Sequence, residues 1–198
     1  MTRRSRSLLL ALLVVAGCRS FGPPTASTLQ RVAPMPLAGQ LGGTFVLELE
    51  SDQLAGVFDG VWDRSDGVLR VQLFPDIGGK VLDVTARQGG LAASTPDGDY
   101  RAPPPLADAE PHLALVLAGI LAELAVPPTS ARVLAERAAD GGRTEVRLCP
   151  ALGGGEVTAT LGASGAVEAY RFRFGWLTFD LDGTGAFSGP GFSGRVCP

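Results

Sequence analysis

The chain has 198 residues, 45% of them hydrophobic and 19% charged, with 17 Lys and Arg against 20 Asp and Glu, one His and three Cys. A net charge of -3, with basic residues scattered singly after the first few positions, excludes the electrostatic footprint of a nucleic-acid binder. The length suffices for one domain with a core of its own.

Arg3, Arg4 and Arg6 precede the apolar run Leu8 to Ala16. A basic start before an apolar stretch too short to span a bilayer reads as an export signal. It ends in Val15-Ala16-Gly17-Cys18, small residues and then a cysteine, which resembles the lipobox of bacterial lipoproteins. That resemblance implies cleavage before Cys18, diacylation of its thiol and usually a third chain on the new amino group. One acyl chain holds a membrane only marginally, whereas two or three hold it firmly. The alternative is an ordinary secretory signal with an incidental Cys. We therefore expect a signal peptide over residues 1–17 and a lipidated N-terminus with a flexible tether over 18–41. The segment from Arg19 to Gln40 is rich in Pro, Ser and Thr and lacks periodicity. The folded domain is expected over 42–198. Leu113 to Val126 is too short for a membrane span and carries Glu123, so the covalent lipid on Cys18 would be the only anchor.

From Thr44 the pattern has period two. Phe45, Leu47 and Leu49, then Phe58, Gly60 and Trp62, then Leu69, Val71 and Leu73, then Leu82, Val84 and Ala86 occupy alternate positions, which predicts four strands. Ser51-Asp52, Asp66-Gly67, Gly78-Gly79 and Gly89-Gly90 supply the turns of an antiparallel meander. A fifth strand follows over Leu91 to Thr95, with a turn at Asp97-Gly98. Pro103 to Pro105 stop the sheet, and Asp108, Glu110 and Pro111 open a helix. Leu113, Val116, Leu117, Ile120, Leu121 and Leu124 recur at helical spacing in a stripe wide enough to be covered by the sheet. Pro127-Pro128 ends it, and a second short helix is expected from Thr129 or Ser130 through Arg137. Strands return at Thr144 to Cys149, Glu156 to Leu161, Val167 to Phe174 and Trp176 to Leu181, before a Gly-rich tail. Strands, a helical insert, then more strands predict an α+β fold. We expect a strongly curved antiparallel sheet, an incomplete half-barrel, with the helical insert covering its concave face.

The residues that could carry covalent chemistry are few. His112 is the only imidazole and no Gly-x-Ser-x-Gly elbow occurs. Asp180 to Gly185 begins like a calcium loop but lacks its later ligands; a hairpin tip is the simpler reading. Gly153 to Gly155 lacks the Lys-Ser/Thr of a phosphate loop. Glu48 and Glu50 share one strand face, as solvated residues do. Neither an enzyme nor a metal site is expected. Cys149 and Cys197 remain after Cys18; an even pair in an exported domain suggests a disulfide, with two free thiols as the alternative.

Two features bear on binding. Tyr170, Phe172, Phe174 and Trp176 fall on one face of a strand, with Arg171 and Arg173 on the other. With Phe58, Trp62, Leu69, Leu73, Leu117, Ile120 and Leu121 they supply apolar walls for an acyl-binding cavity, or an ordinary packed core. The connection Leu73 to Lys80 carries Phe74, Pro75 and Ile77 where turns are normally polar. Such residues insert into a membrane, dock a partner or fold back on the core.

The order of elements from about Gly43 to Pro128 is similar to that of the LolA/LolB superfamily, the periplasmic carrier and the outer-membrane receptor of bacterial lipoproteins. The features that carry the similarity are a second strand with Trp62, the loop Leu73 to Gly79, the Gly89-Gly90 and Asp97-Gly98 turns, Tyr100, and an acid-capped helix ending in prolines. The similarity is greatest to LolB, itself a lipoprotein. It implies an incomplete barrel whose apolar concave face takes acyl chains under a helical lid. It also implies a loop with an exposed aliphatic residue, here best matched by Ile77, that helps pass lipoproteins into the membrane. The partners it implies are membrane lipid, acylated lipoproteins or a periplasmic carrier. Asp76 lengthens the loop by one residue, and the Trp-Gly pattern that often follows the helices is replaced by Ser130 to Arg137. Arg19 after Cys18, where inner-membrane retention in enteric bacteria favours Asp, points to the outer membrane, with the domain in the periplasm.

Overall fold

In the computed structural model, which describes residues 20–66, 68–87, 90–102, 113–151, 155–174 and 177–198, the period-two segments become the strands of one antiparallel sheet. The first six are β1 (Thr44–Ser51), β2 (Gly56–Ser65), β3 (Val68–Pro75), β4 (Leu82–Arg87), β5 (Gly90–Thr95) and β6 (Gly98–Ala102). After a helical segment come β7 (Val133–Ala138), β8 (Thr144–Leu148), β9 (Glu156–Leu161), β10 (Val167–Phe174), β11 (Leu177–Asp182), β12 (Ala186–Gly189) and β13 (Phe192–Cys197). The order across the sheet is β6-β5-β4-β3-β2-β1-β13-β12-β11-β10-β9-β8-β7. First and last strands pair in the middle, Leu47 opposite Val196, and β6 and β7 are the two edges of a sheet that does not close.

Each strand turns one face inward. Phe45, Leu47 and Leu49 of β1, Leu69, Val71 and Leu73 of β3, Tyr170 and Phe172 of β10, and Phe179 and Leu181 of β11 are buried in one common core. The single long helix among the described residues, Leu113–Ala125, lies in that core with eleven of its thirteen residues buried, as expected of a helix apolar all round. It packs on β3 to β6, while its Glu123 accepts a hydrogen bond from the backbone of Ala151, just past β8. On a flat sheet β5 and β8 would stand ten strand spacings apart, about 48 Å at ~4.8 Å each. A thirteen-residue helix is only about 20 Å long, so the sheet curves around it.

Antiparallel order sends alternate connections to opposite ends. The β1–β2, β3–β4, β5–β6, β8–β9, β10–β11 and β12–β13 connections share one end, here the upper. The β2–β3, β4–β5, β7–β8, β9–β10 and β11–β12 turns share the lower.

Three expectations are corrected. The segment expected as a flexible tether, 18–41, is folded from residue 20 onward. It forms α1 (Ala26–Arg31) and α2 (Pro36–Gln40), making the Leu113–Ala125 helix α3. Thr28, Met35, Leu37 and Leu41 are buried, because sparse apolar residues without period still find the open lower end of the sheet. Gly22 pairs with Glu136 and Ala33 with Ala166. The second helix expected through Arg137 is only a 3-10 turn, Ser130–Arg132, followed by β7. Its helix-forming residues are overridden by pairing with β8, Arg137 opposite Glu145. Cys149 and Cys197 are free thiols, not a disulfide. Cys149 lies past the upper end of β8 and Cys197 at the lower end of β13, five strands away, so the two stand at opposite ends of the sheet, beyond the ~7 Å Cα limit of a bridge.

Candidate functional site

At the upper end, three connections meet the first turn of α3 around a cleft of about 260 Å³. Its apolar walls are Leu54 from the β1–β2 connection, Val81 and Leu82 at the start of β4, and Leu113, Ala114 and Leu117 of the helix. Gln53, Thr95 and Asp97 give it a polar rim. The loop is held by its own hydroxyl: Ser51 Oγ donates to the Leu54 carbonyl at 2.7 Å and accepts from the Leu54 amide at 3.0 Å. Gln53 Oε1 accepts from the Leu113 amide at 3.4 Å, which partners one of the donors a first helical turn leaves open. The cleft therefore has a fixed wall of loop and helix.

The β3–β4 loop beside it carries Ile77, 92% exposed. Pro75 ends β3 by pairing with Phe58, and Gly78, at φ 119°, makes the turn. Lys80 pairs with Asp83, which also accepts from Gln72 at 3.2 Å. The base of the loop is thus tied by side chains while its tip presents a lone aliphatic side chain to solvent. Phe74 stands at the end of β3, half-buried and opposite Asp59, so of the two loop residues predicted only Ile77 projects.

The residues predicted to wall a cavity lie mostly in the core. Phe58, Leu69, Leu73, Ile120, Leu121, Tyr170 and Phe172 are each 3% exposed or less, and Phe172 stacks on Phe179 with centroids 4.7 Å apart. Trp62 is half-buried against Phe45 at 5.6 Å. Leu117 is the one residue of that set lining the cleft. The side chain of Phe174, like Cys18, His112 and Trp176, lies outside the described residues. Leu54 and Val81 were missed; the available signal was a single aliphatic residue inside an otherwise polar loop.

The far end of α3 holds a buried carboxyl group. Glu123, 3% exposed, accepts from Arg132 at 2.6 Å and from the Ala151 amide at 2.5 Å. Arg132 also donates to the carbonyls of Val126 and Cys149, both at 3.0 Å. Burial lifts the Glu123 carboxyl above the ordinary range, and Arg132 and the Ala151 amide offset this only in part. Burial, with Glu123 beside it, also keeps the Tyr170 hydroxyl protonated well above its usual value. The cluster clamps the helix to the β8–β9 connection.

Asp182 accepts from the Thr184 hydroxyl at 2.7 Å and from the amides of Thr184 and Ala186 at 2.8 and 3.2 Å. These bonds, the Thr184 hydroxyl first, hold its carboxyl below the ordinary range. They fit the hairpin-tip reading. Glu48 and Glu50 are exposed on one face of β1. Among the described residues no three His, Cys, Asp or Glu side chains converge on a potential metal site, and no helix is long and apolar enough to cross a membrane.

Compared with known proteins, the chain matches no family model and no curated protein.

Proposed function

We propose that this is a LolB-like envelope lipoprotein. In this reading it is anchored through acylated Cys18, lies in the periplasm at the outer membrane, and binds acyl chains of lipoproteins or lipids in an apolar recess without covalent chemistry. The sheet is then the incomplete half-barrel of that superfamily and α3 its lid. The observation that carries the reading is the meeting, at one end of the sheet, of an apolar cleft and a loop that holds Ile77 out in water. An exposed aliphatic side chain loses apolar contact with water only when a ligand or surface covers it, at about 25 cal/mol per Å². The cleft is slightly smaller than the roughly 300 Å³ at which pockets for drug-sized ligands begin, so it suits the end of one acyl chain.

A packed envelope lipoprotein with a protein partner is the second reading, favoured by the near-complete burial of seven of the residues expected to wall a cavity. A fluorescent fatty acid separates the two. Under the acyl-binding reading it binds saturably, and Leu54→Glu and Val81→Glu weaken it at least tenfold; both side chains are half-buried at the rim, so the fold survives the change. Unaltered binding in both variants would remove the cleft from the account.

A further inference from the structure

The start of the folded chain fixes where an anchor on Cys18 can lie. The guanidinium groups of Arg137 and Arg147 both lie over the Phe21 ring, 4.6 and 4.7 Å from its centroid. The next residue, Gly22, exchanges both backbone hydrogen bonds with Glu136 of β7, each 2.8 Å. These cation–π contacts and the paired backbone together hold Phe21 and Gly22 on the edge of β7. The pairing is antiparallel. Since β7 runs from the upper end to the lower, the chain leading into Phe21 comes from the lower end. Only Arg19 and Ser20 separate Cys18 from Phe21, and three steps along the chain at about 3.5 Å each reach roughly 10 Å.

After Gly22 the chain crosses the lower end and closes it. Arg31 donates to the Ala163 carbonyl at 3.3 Å, Ala33 pairs with Ala166, and Met35 and Leu37 are buried. Ile77 and the cleft are at the other end.

We propose that the anchored protein stands with this plugged lower end on its own bilayer and the Ile77 mouth facing away from it, so that acyl ligands arrive from the aqueous compartment. The proposal rests on the reading of Cys18 as acylated. It differs from what the LolB resemblance implies for the loop, because Ile77 then meets incoming cargo rather than the membrane that holds the anchor.

The test measures height above the membrane. The acylated full-length product is isolated from bacterial membranes and placed in phosphatidylethanolamine–phosphatidylglycerol vesicles carrying a headgroup acceptor dye. A donor dye is clicked onto an azido-phenylalanine at Ala163, in the exposed β9–β10 turn, or at Ile77. Strong energy transfer from 163 and weak transfer from 77 is expected, a height difference of about 25 Å for an eight-residue strand at ~3.3 Å per residue. Twenty Gly and Ser residues inserted between Arg19 and Ser20 should erase the difference. Equal transfer from both sites in the uninserted chain, or stronger transfer from 77, would overturn the orientation. An intact mass lacking diacylglycerol would instead overturn the acylation reading. The orientation is then judged on C149S/C197S protein coupled through Cys18 to a maleimide phospholipid, with the same two outcomes.

Discussion

Glu123 is the residue on which the helix and the strands after it most depend. Replacing Arg132 by Leu leaves its carboxyl buried without a cation, which costs about 3–5 kcal/mol at a pH where that carboxyl is ionised. Chemical denaturation should show that loss directly. The pH dependence has a definite sign. The folded carboxyl binds its proton more tightly than the ordinary value of 4.5 allows, so above pH 4.5 the folded chain holds a proton that the unfolded chain has released. Stability from this group is therefore highest at low pH and falls as pH rises through the folded value. As pH rises above 4.5 the melting temperature of the native protein should therefore fall relative to that of Glu123→Gln; melting temperatures that stay parallel would contradict this. In the sequence Glu123 read only as the charge that interrupts an apolar helix. Its partner Arg132 lies nine residues on, beyond Pro127-Pro128, at a separation that no helical spacing predicts.

At the scale of elements, what was legible followed local periodicity. Strand β9, Glu156–Leu161, and strand β10, Val167–Phe174, fall where alternation put them, and α3 covers the predicted stripe. The misread elements are those whose structure comes from distant partners. Residues 130–137 have helix-forming composition, yet β7 is held by β8 on one side and by Gly22 on the other. Residues 20–41 have no period because they are a plug, anchored at single points rather than along a face. One such point is Gly165, at φ 84°, where an added Cβ would lie 2.1 Å from the Arg31 carbonyl oxygen. Gly165→Ala therefore combines an unfavourable left-handed backbone with a backbone clash. We expect faster hydrogen exchange over residues 28–41 in that variant with little change in β2 and β3; uniform loss of protection, or none, would argue against a separately seated plug. Gly60 works differently: the Phe45 ring lies where its Cβ would be, 2.2 Å away, so the strand gives up a side chain to let an aromatic cover it.

At the scale of the whole molecule, the curved sheet gathers its upper connections around one end of a helix. That is why Leu54, Val81 and Leu117, distant in sequence, wall the same cleft. Alternation revealed which side chains face inward, but not how far the sheet curls or whether the inside is filled, since both depend on contacts between strands many positions apart. In the proposed function, acyl chains occupy the recess beside Ile77. The most direct measurement is native mass spectrometry of the purified protein after incubation with phospholipid and with an acylated peptide. Acyl binding beside Ile77 should give discrete one-to-one adducts that diminish in Leu54→Glu and Ile77→Glu. A bare protein mass under both conditions would contradict it and leave the packed module with a protein partner.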